Sequence, residues 1–188
     1  MLPRLLPALA ALAACAKKPD AGNKPVENVV TEAALDGIVE QKVDFDANGV
    51  AEVTNFYRER TEGSRVLERK ELDLNRDGKA DVITWLDERG SIEKEQMDGD
   101  FDGKFELVDT YQGGVRMATE YDTDGDGWAN VFKYYLRDPA GKVFLDRKER
   151  DENGDHRIDV WEKFDASGSV VVTGRDADGD GKMDERQE

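Results

Sequence analysis

Cysteine and histidine are scarce in this 188-residue chain, aromatics are few, and positive charge is outnumbered by negative. One cysteine, Cys15, leaves no room for an internal disulfide. One histidine, His156, removes any His-based zinc spacing, and neither a G-x-S-x-G nor a P-loop run is present. Lys and Arg number 27 against 43 Asp and Glu, a net charge of −16. That balance disfavours nucleic acid and anionic surfaces as partners and favours cations. Long apolar runs are missing too. The one from Leu5 to Ala14 is too short to span a bilayer as a helix. Aromatics are 8%, and charged residues (37%) nearly equal hydrophobic ones (38%), so any core is thin.

The first fifteen residues, MLPRLLPALAALAAC, carry Arg4, the apolar run and then Cys15. This is the form of a signal peptide, 1–14. Leu12-Ala13-Ala14-Cys15 resembles the signal of bacterial lipoproteins. The resemblance implies cleavage before Cys15, lipid on that residue, and attachment to the cell envelope, by analogy the outer membrane, without a spanning segment. Removing 1–14 deletes only Arg4 among the charges, so the mature chain carries −17. Residues 15–35 hold two prolines and mixed charge without a period and read as a flexible tether. A repeat domain is expected over 36–188.

What is abundant is one short pattern. Six segments fit D-x-[DN]-x-[DN]-G-x-x-[DEN]: DFDANGVAE, DLNRDGKAD, DGDFDGKFE, DTDGDGWAN, DENGDHRID and DADGDGKMD, the fifth with His156 in place of glycine. They start at 44, 73, 98, 122, 151 and 176. A recurrence at this spacing marks an array. Between loops lie short β-branched and aromatic runs (VTNFY, VITWL, VFKYYL, VWEKF) and glycine turns such as DERG, DPAG and DASG. These predict strands joined in hairpins. An EF-hand is the competing reading. It needs a Glu at loop position 12, where the six loops hold Asn55, Thr84, Asp109, Lys133, Glu162 and Gln187, and its flanks must be helical.

The chemistry follows from the spacing. Oxygens at positions 1, 3 and 5 of a tight loop converge, the position-7 carbonyl adds another, and position 9 closes the cage. Glycine at position 6 permits a positive φ at the bend. The expected ligand sets are Asp44, Asp46, Asn48 and Glu52; Asp73, Asn75, Asp77 and Asp81; Asp98, Asp100, Asp102 and Glu106; Asp122, Asp124, Asp126 and Asn130; Asp151, Asn153, Asp155 and Asp159; and Asp176, Asp178, Asp180 and Asp184. Such all-oxygen sets suit Ca²⁺; Mg²⁺ prefers near-octahedral sites that keep several waters. Loops three and six offer four carboxylates and the others three. Loop five, with His156 at the bend, is expected to be weakest. Loop three, flanked by hairpins, is expected to be tightest.

Loops of this form between strands resemble the calcium loops of integrin-type FG-GAP repeats, over the nine-residue loops only. The hairpin spacing, with Tyr121-Asp122 ahead of a loop, resembles YD/RHS-type β-hairpin repeats. The expected fold is all-β: an antiparallel meander of about 11–12 strands, twisted into a superhelical or partly closed sheet, with the calcium loops along one edge. One face reads Val53, Asn55, Tyr57 and their equivalents; the other holds Phe56, Ile83, Trp85, Phe132, Tyr134 and Trp161. The function expected is a calcium-binding structural or binding module of the envelope, tethered by lipid, with a protein or polysaccharide partner open. The alternative is a carbohydrate-active or other envelope enzyme, which two carboxylates could serve; no pair outside the loops is singled out.

Overall fold

A computed structural model describes residues 28–188. The signal peptide, Cys15 and the tether up to residue 27 lie outside the described residues. The strands are β1 (Val29–Leu35), β2 (Ile38–Asp44), β3 (Val53–Glu59), β4 (Arg65–Leu72), β5 (Val82–Leu86), β6 (Ile92–Met97) and β7 (Leu107–Gln112). They continue as β8 (Val115–Tyr121), β9 (Val131–Arg137), β10 (Val143–Arg150), β11 (Val160–Phe164), β12 (Val170–Arg175) and β13 (Glu185–Gln187). All thirteen form one antiparallel sheet in strict sequence order, and β1 does not pair with β13, so the sheet stays open. The described residues contain no helix.

The strand count exceeds the sequence expectation because β1 occupies 29–35, inside the segment read as tether. It pairs along its whole length with β2. The turn between them is Asp36-Gly37 at φ 53 and 79, a two-residue bend that matches the twist of the flanking strands. Every residue of β1 is exposed.

Five later hairpins share one design. In four of them the turn is closed by a glycine N–H donating to the carbonyl three residues back, as from Gly90 to Asp87 and Gly168 to Asp165. The fifth turns on Gly113-Gly114 at φ 57 and 74. Each carries one register shift near its turn end, between Phe56 and Tyr57, Trp85 and Leu86, Thr110 and Tyr111, Leu145 and Arg147, and Lys163 and Phe164. Such bulges sharpen strand twist, so the twist recurs with the repeat.

The register fixes the faces. Val43, Val53, Leu72, Val82, Met97, Leu107, Tyr121, Val131, Arg150, Val160 and Arg175 are successive cross-strand partners, one row nearest the acidic loops. The three buried apolar residues, Val39, Val82 and Val160, lie on this face. So do the buried Asp109 and Thr119, in the middle of the sheet. The opposite face pairs aromatics with cations directly across strands: Arg69 over Phe56 at 3.9 Å, Lys94 over Trp85 at 5.1 Å and Arg147 over Tyr134 at 4.2 Å. Each such pair contributes on the order of 1 kcal/mol. A single layer cannot bury its aromatics against a second sheet; here long basic side chains cover them instead.

Candidate metal sites

All six acidic segments connect an even-numbered strand to the next odd one, so they line up along one edge of the ribbon. The backbone ladder runs through them. The position-9 N–H donates to the carbonyl just before position 1, as from Asp81 to Leu72 and Asp159 to Arg150. The position-1 N–H donates to the position-9 carbonyl of the preceding loop: Asp73 to Glu52, Asp98 to Asp81, Asp122 to Glu106, Asp151 to Asn130 and Asp176 to Asp159. Each loop is thus a pinched extension of the sheet, hydrogen-bonded to its neighbours.

Inside a loop the side chains follow one scheme. The position-1 carboxylate is the anchor. Its Oδ2 accepts the position-6 N–H at 2.6–2.8 Å in all six loops, from Gly49, Gly78, Gly103, Gly127, His156 and Gly181. Its Oδ1 accepts N–H groups from positions 3 to 5, for example Gly125 to Asp122 at 2.8 Å. Position 3 accepts from position 5, and position 5 from position 7, as Asp100 from Asp102 at 3.2 Å and Asp102 from Lys104 at 2.8 Å. Position 9 folds back to accept the position-2 N–H, as Glu106 from Gly99 at 2.8 Å. The anchors Asp44, Asp73, Asp98, Asp122 and Asp151 are buried. Burial pushes the carboxyls of Asp44, Asp122 and Asp176 upward, yet the donated backbone N–H groups outweigh it and hold all three below the ordinary value of 3.8.

Position 6 has a positive φ throughout, including 65° at His156, as the spacing requires. Position 4 does too: Ala47, Arg76 and Phe101 at 58–66°, and Gly125, Gly154 and Gly179 at 76–80°. The motif does not single out this second left-handed residue. Its signal is the glycine that loops four, five and six carry there.

Among the described residues four acidic groups bring one ligand oxygen per residue within 4.8 Å of one another: Asp98, Asp100, Asp102 and Glu106; Asp44, Asp46 and Glu52; Asp122, Asp124 and Asp126; and Asp176, Asp178 and Asp184. Loop three alone gathers all four of its carboxylates. In loop six Asp180 stands aside, held by Lys182 Nζ at 2.6 Å. Asp73, Asp77 and Asp81 of loop two do not gather, nor do Asp151, Asp155 and Asp159 of loop five. Position 3 is an amide in both. There the position-9 carboxylate is taken by extra donors: Asp81 Oδ2 accepts from Leu74 and Asn75, and Asp159 accepts from Glu152, from Asn153 N and from Asn153 Nδ2 at 3.0 Å. In loop four the amide of Asn130 bridges to Asp124 Oδ2 at 3.2 Å.

Side chains also cross between loops. From position 7, Lys104 donates to the Gly125 carbonyl at 3.0 Å and Arg157 to the Gly179 carbonyl at 2.6 Å. Trp128 stacks on His156 with centroids 5.0 Å apart, and His156 Nε2 lies 3.2 Å from Asp126 Oδ2. Sequence motifs cannot show these contacts, which join residues 21 to 30 apart.

The cation fit is tested best at loop one. Glu52 is 8% exposed, and its Oε1 is buried without a hydrogen-bond partner. A buried carboxylate oxygen without a hydrogen bond needs a cation beside it, and the one in place is Arg76 Nε at 3.3 Å, in the position a bound ion would take. The all-oxygen donor set, hard and anionic, suits a divalent hard cation. No protein-family model matches the chain, and no curated protein matches it significantly.

Proposed function

We propose that this protein is a calcium-binding β-hairpin repeat module, held at the bacterial cell envelope by a lipidated Cys15, in which calcium stabilises the fold and leaves the sheet faces for a partner. The observation that carries the reading is the convergence of Asp98, Asp100, Asp102 and Glu106 in loop three, repeated with three carboxylates in loops one, four and six. Calcium takes six to eight oxygens at about 2.3–2.6 Å and tolerates irregular sets, which favours it over magnesium. The lipid anchor is supported by Leu12-Ala13-Ala14-Cys15 alone. The sole histidine is taken up by Trp128 and Asp126, which favours binding over catalysis.

Isothermal titration of residues 16–188 with calcium, alongside circular dichroism in chelator, tests the metal reading. Uptake of about four or more ions with a calcium-dependent gain in strand signal is expected. No uptake at millimolar calcium rejects it. Fractionation of the full chain against a Cys15→Ser variant tests the anchor. The variant should leave the membrane fraction.

A further inference from the structure

We infer that Arg76, in loop two, is a built-in counter-ion of loop one that competes with the metal there. The inference rests on the calcium reading above. Arg76 Nη1 donates to Asp46 Oδ2 at 2.7 Å, and its Nε lies 3.3 Å from Glu52 Oε1. These are two of the three carboxylates that converge in loop one. Glu52 is 8% exposed, and that oxygen has no hydrogen bond of proper geometry. The guanidinium is therefore the only charge offsetting the cluster that the described residues show in contact with both carboxylates.

The backbone aims the side chain. Arg76 occupies position 4 at φ 66, the place of Gly125, Gly154 and Gly179 in later loops. Its own N–H is held by Asp73 Oδ1 at 2.6 Å, so the left-handed bend is fixed from within loop two. That bend directs the side chain back across the loop row to loop one. Ala47 and Phe101, at the same position in loops one and three, carry no charge. Loop one alone thus receives a cation from the loop that follows it at this position.

A divalent ion bound through Asp46 Oδ2 and Glu52 Oε1 has to displace the guanidinium. Loop one then binds calcium more weakly than its carboxylates alone would dictate. Its occupancy frees Arg76, and by reciprocity any change that holds Arg76 back in loop two, away from Asp46 and Glu52, strengthens loop one. Arg76 is half exposed, so the ion pairs are worth at most about 1 kcal/mol, or about fivefold in affinity.

The test uses residues 16–188 as wild type, Arg76→Gly and Arg76→Asn. Both replacements tolerate a positive φ, so the bend survives. Calcium titrations followed by ¹⁵N–¹H spectra read loop one at the Gly49 amide and loops three and four at Gly103 and Gly127. Both variants should lower the midpoint at Gly49 about fivefold and leave Gly103 and Gly127 within error. An unchanged or raised midpoint at Gly49, with normal shifts at Gly103 and Gly127, overturns the inference and leaves the calcium reading standing. No calcium-dependent shift at any of the three glycines in the wild type overturns the calcium reading and this inference with it.

Discussion

Asp109 is 3% exposed, accepts a hydrogen bond from Thr119 Oγ1, and lies 2.9 Å from Arg116 Nη2. Removing it leaves the buried Thr119 hydroxyl with only the Tyr135 hydroxyl at 3.5 Å, while the half-exposed Arg116 can turn to water. Asp109→Ala should therefore cost about 2 kcal/mol, less than a fully buried ion pair would, and chemical denaturation measures it. Gly174 is extended, but a Cβ there would overlap Met183 Sδ and Cε. Gly174→Ala should lower the melting temperature, and adding Met183→Ala should recover part of the loss, which melts of the single and double variants would read. His156 illustrates two opposed terms. Its left-handed φ costs about 1 kcal/mol, and its stack on Trp128 returns about as much, so His156→Gly should leave metal-free stability nearly unchanged. Among the candidate ligands, Asp102 belongs to the one loop that gathers four carboxylates, whereas Asp155 belongs to a loop that does not bring its three together. In calcium, Asp102→Ala should lower the melting temperature more than Asp155→Ala. Equal losses in one buffer would show that carboxylate convergence does not rank the loops.

At the scale of the element, the strands, the hairpin turns and the loops on one edge were legible because each has a local cause. β-branched and aromatic runs make strands such as Val82–Leu86, glycine ends the turns, and aspartates two apart curl the loops. The face assignment was legible too, since Val53, Val82 and Val160 fall on one row with period two. β1 was not, because VVTEAAL is exposed throughout and shows no buried face; the local sign was the Asp36-Gly37 turn after it. The second left-handed residue in each loop was missed because three different side chains occupy it in loops one to three. Which carboxylates gather was not legible either. It depends on whether an amide or a lysine claims the oxygens first, as Asn153 and Lys182 do. The hairpin turns carry their own prediction. In the β11–β12 turn Asp165 Oδ1 accepts from Ser167 Oγ at 2.6 Å and from the N–H groups of Ser167 and Ser169. The Ser167 hydroxyl, with those N–H groups, holds the Asp165 carboxyl below 3.8. A depressed carboxylate stabilises the fold above its unfolded value and loses that contribution as pH falls through the folded one. The melting-temperature gap between wild type and Ser167→Ala should thus be full at neutral pH and shrink below pH 3.8. A gap that persists at low pH would place the serine's effect elsewhere.

At the scale of the whole molecule, the described residues form a one-dimensional stack, since their strands pair only with their neighbours in sequence. Stability is then a sum of repeats and the interfaces between them, with no second layer to compensate a weak one. Against this thin core stands a net charge of −16, much of it in one row of loops. Internal cations answer part of it: Arg76 at loop one, Lys104 between loops three and four, and Lys182 at loop six. On the calcium reading proposed above, the rest falls to bound metal. A site filled at a hundred times its dissociation constant adds about 2.7 kcal/mol, so four such sites add about 11, comparable with the entire stability of an ordinary domain. Six divalent ions would bring −16 to −4. The two states should therefore respond differently to salt. In chelator the carboxylates repel across the loop row, and raising sodium chloride to about 1 M, where the screening length falls to about 3 Å, should raise the melting temperature by several degrees. In saturating calcium the repulsion is already neutralised, and the same salt should change the melting temperature little or lower it by weakening the bound ions. Parallel salt dependence in chelator and in calcium would mean that the acidic row is not the principal strain on the metal-free fold. Hydrophobic and cation–aromatic packing between hairpins would then set the stability of the stack.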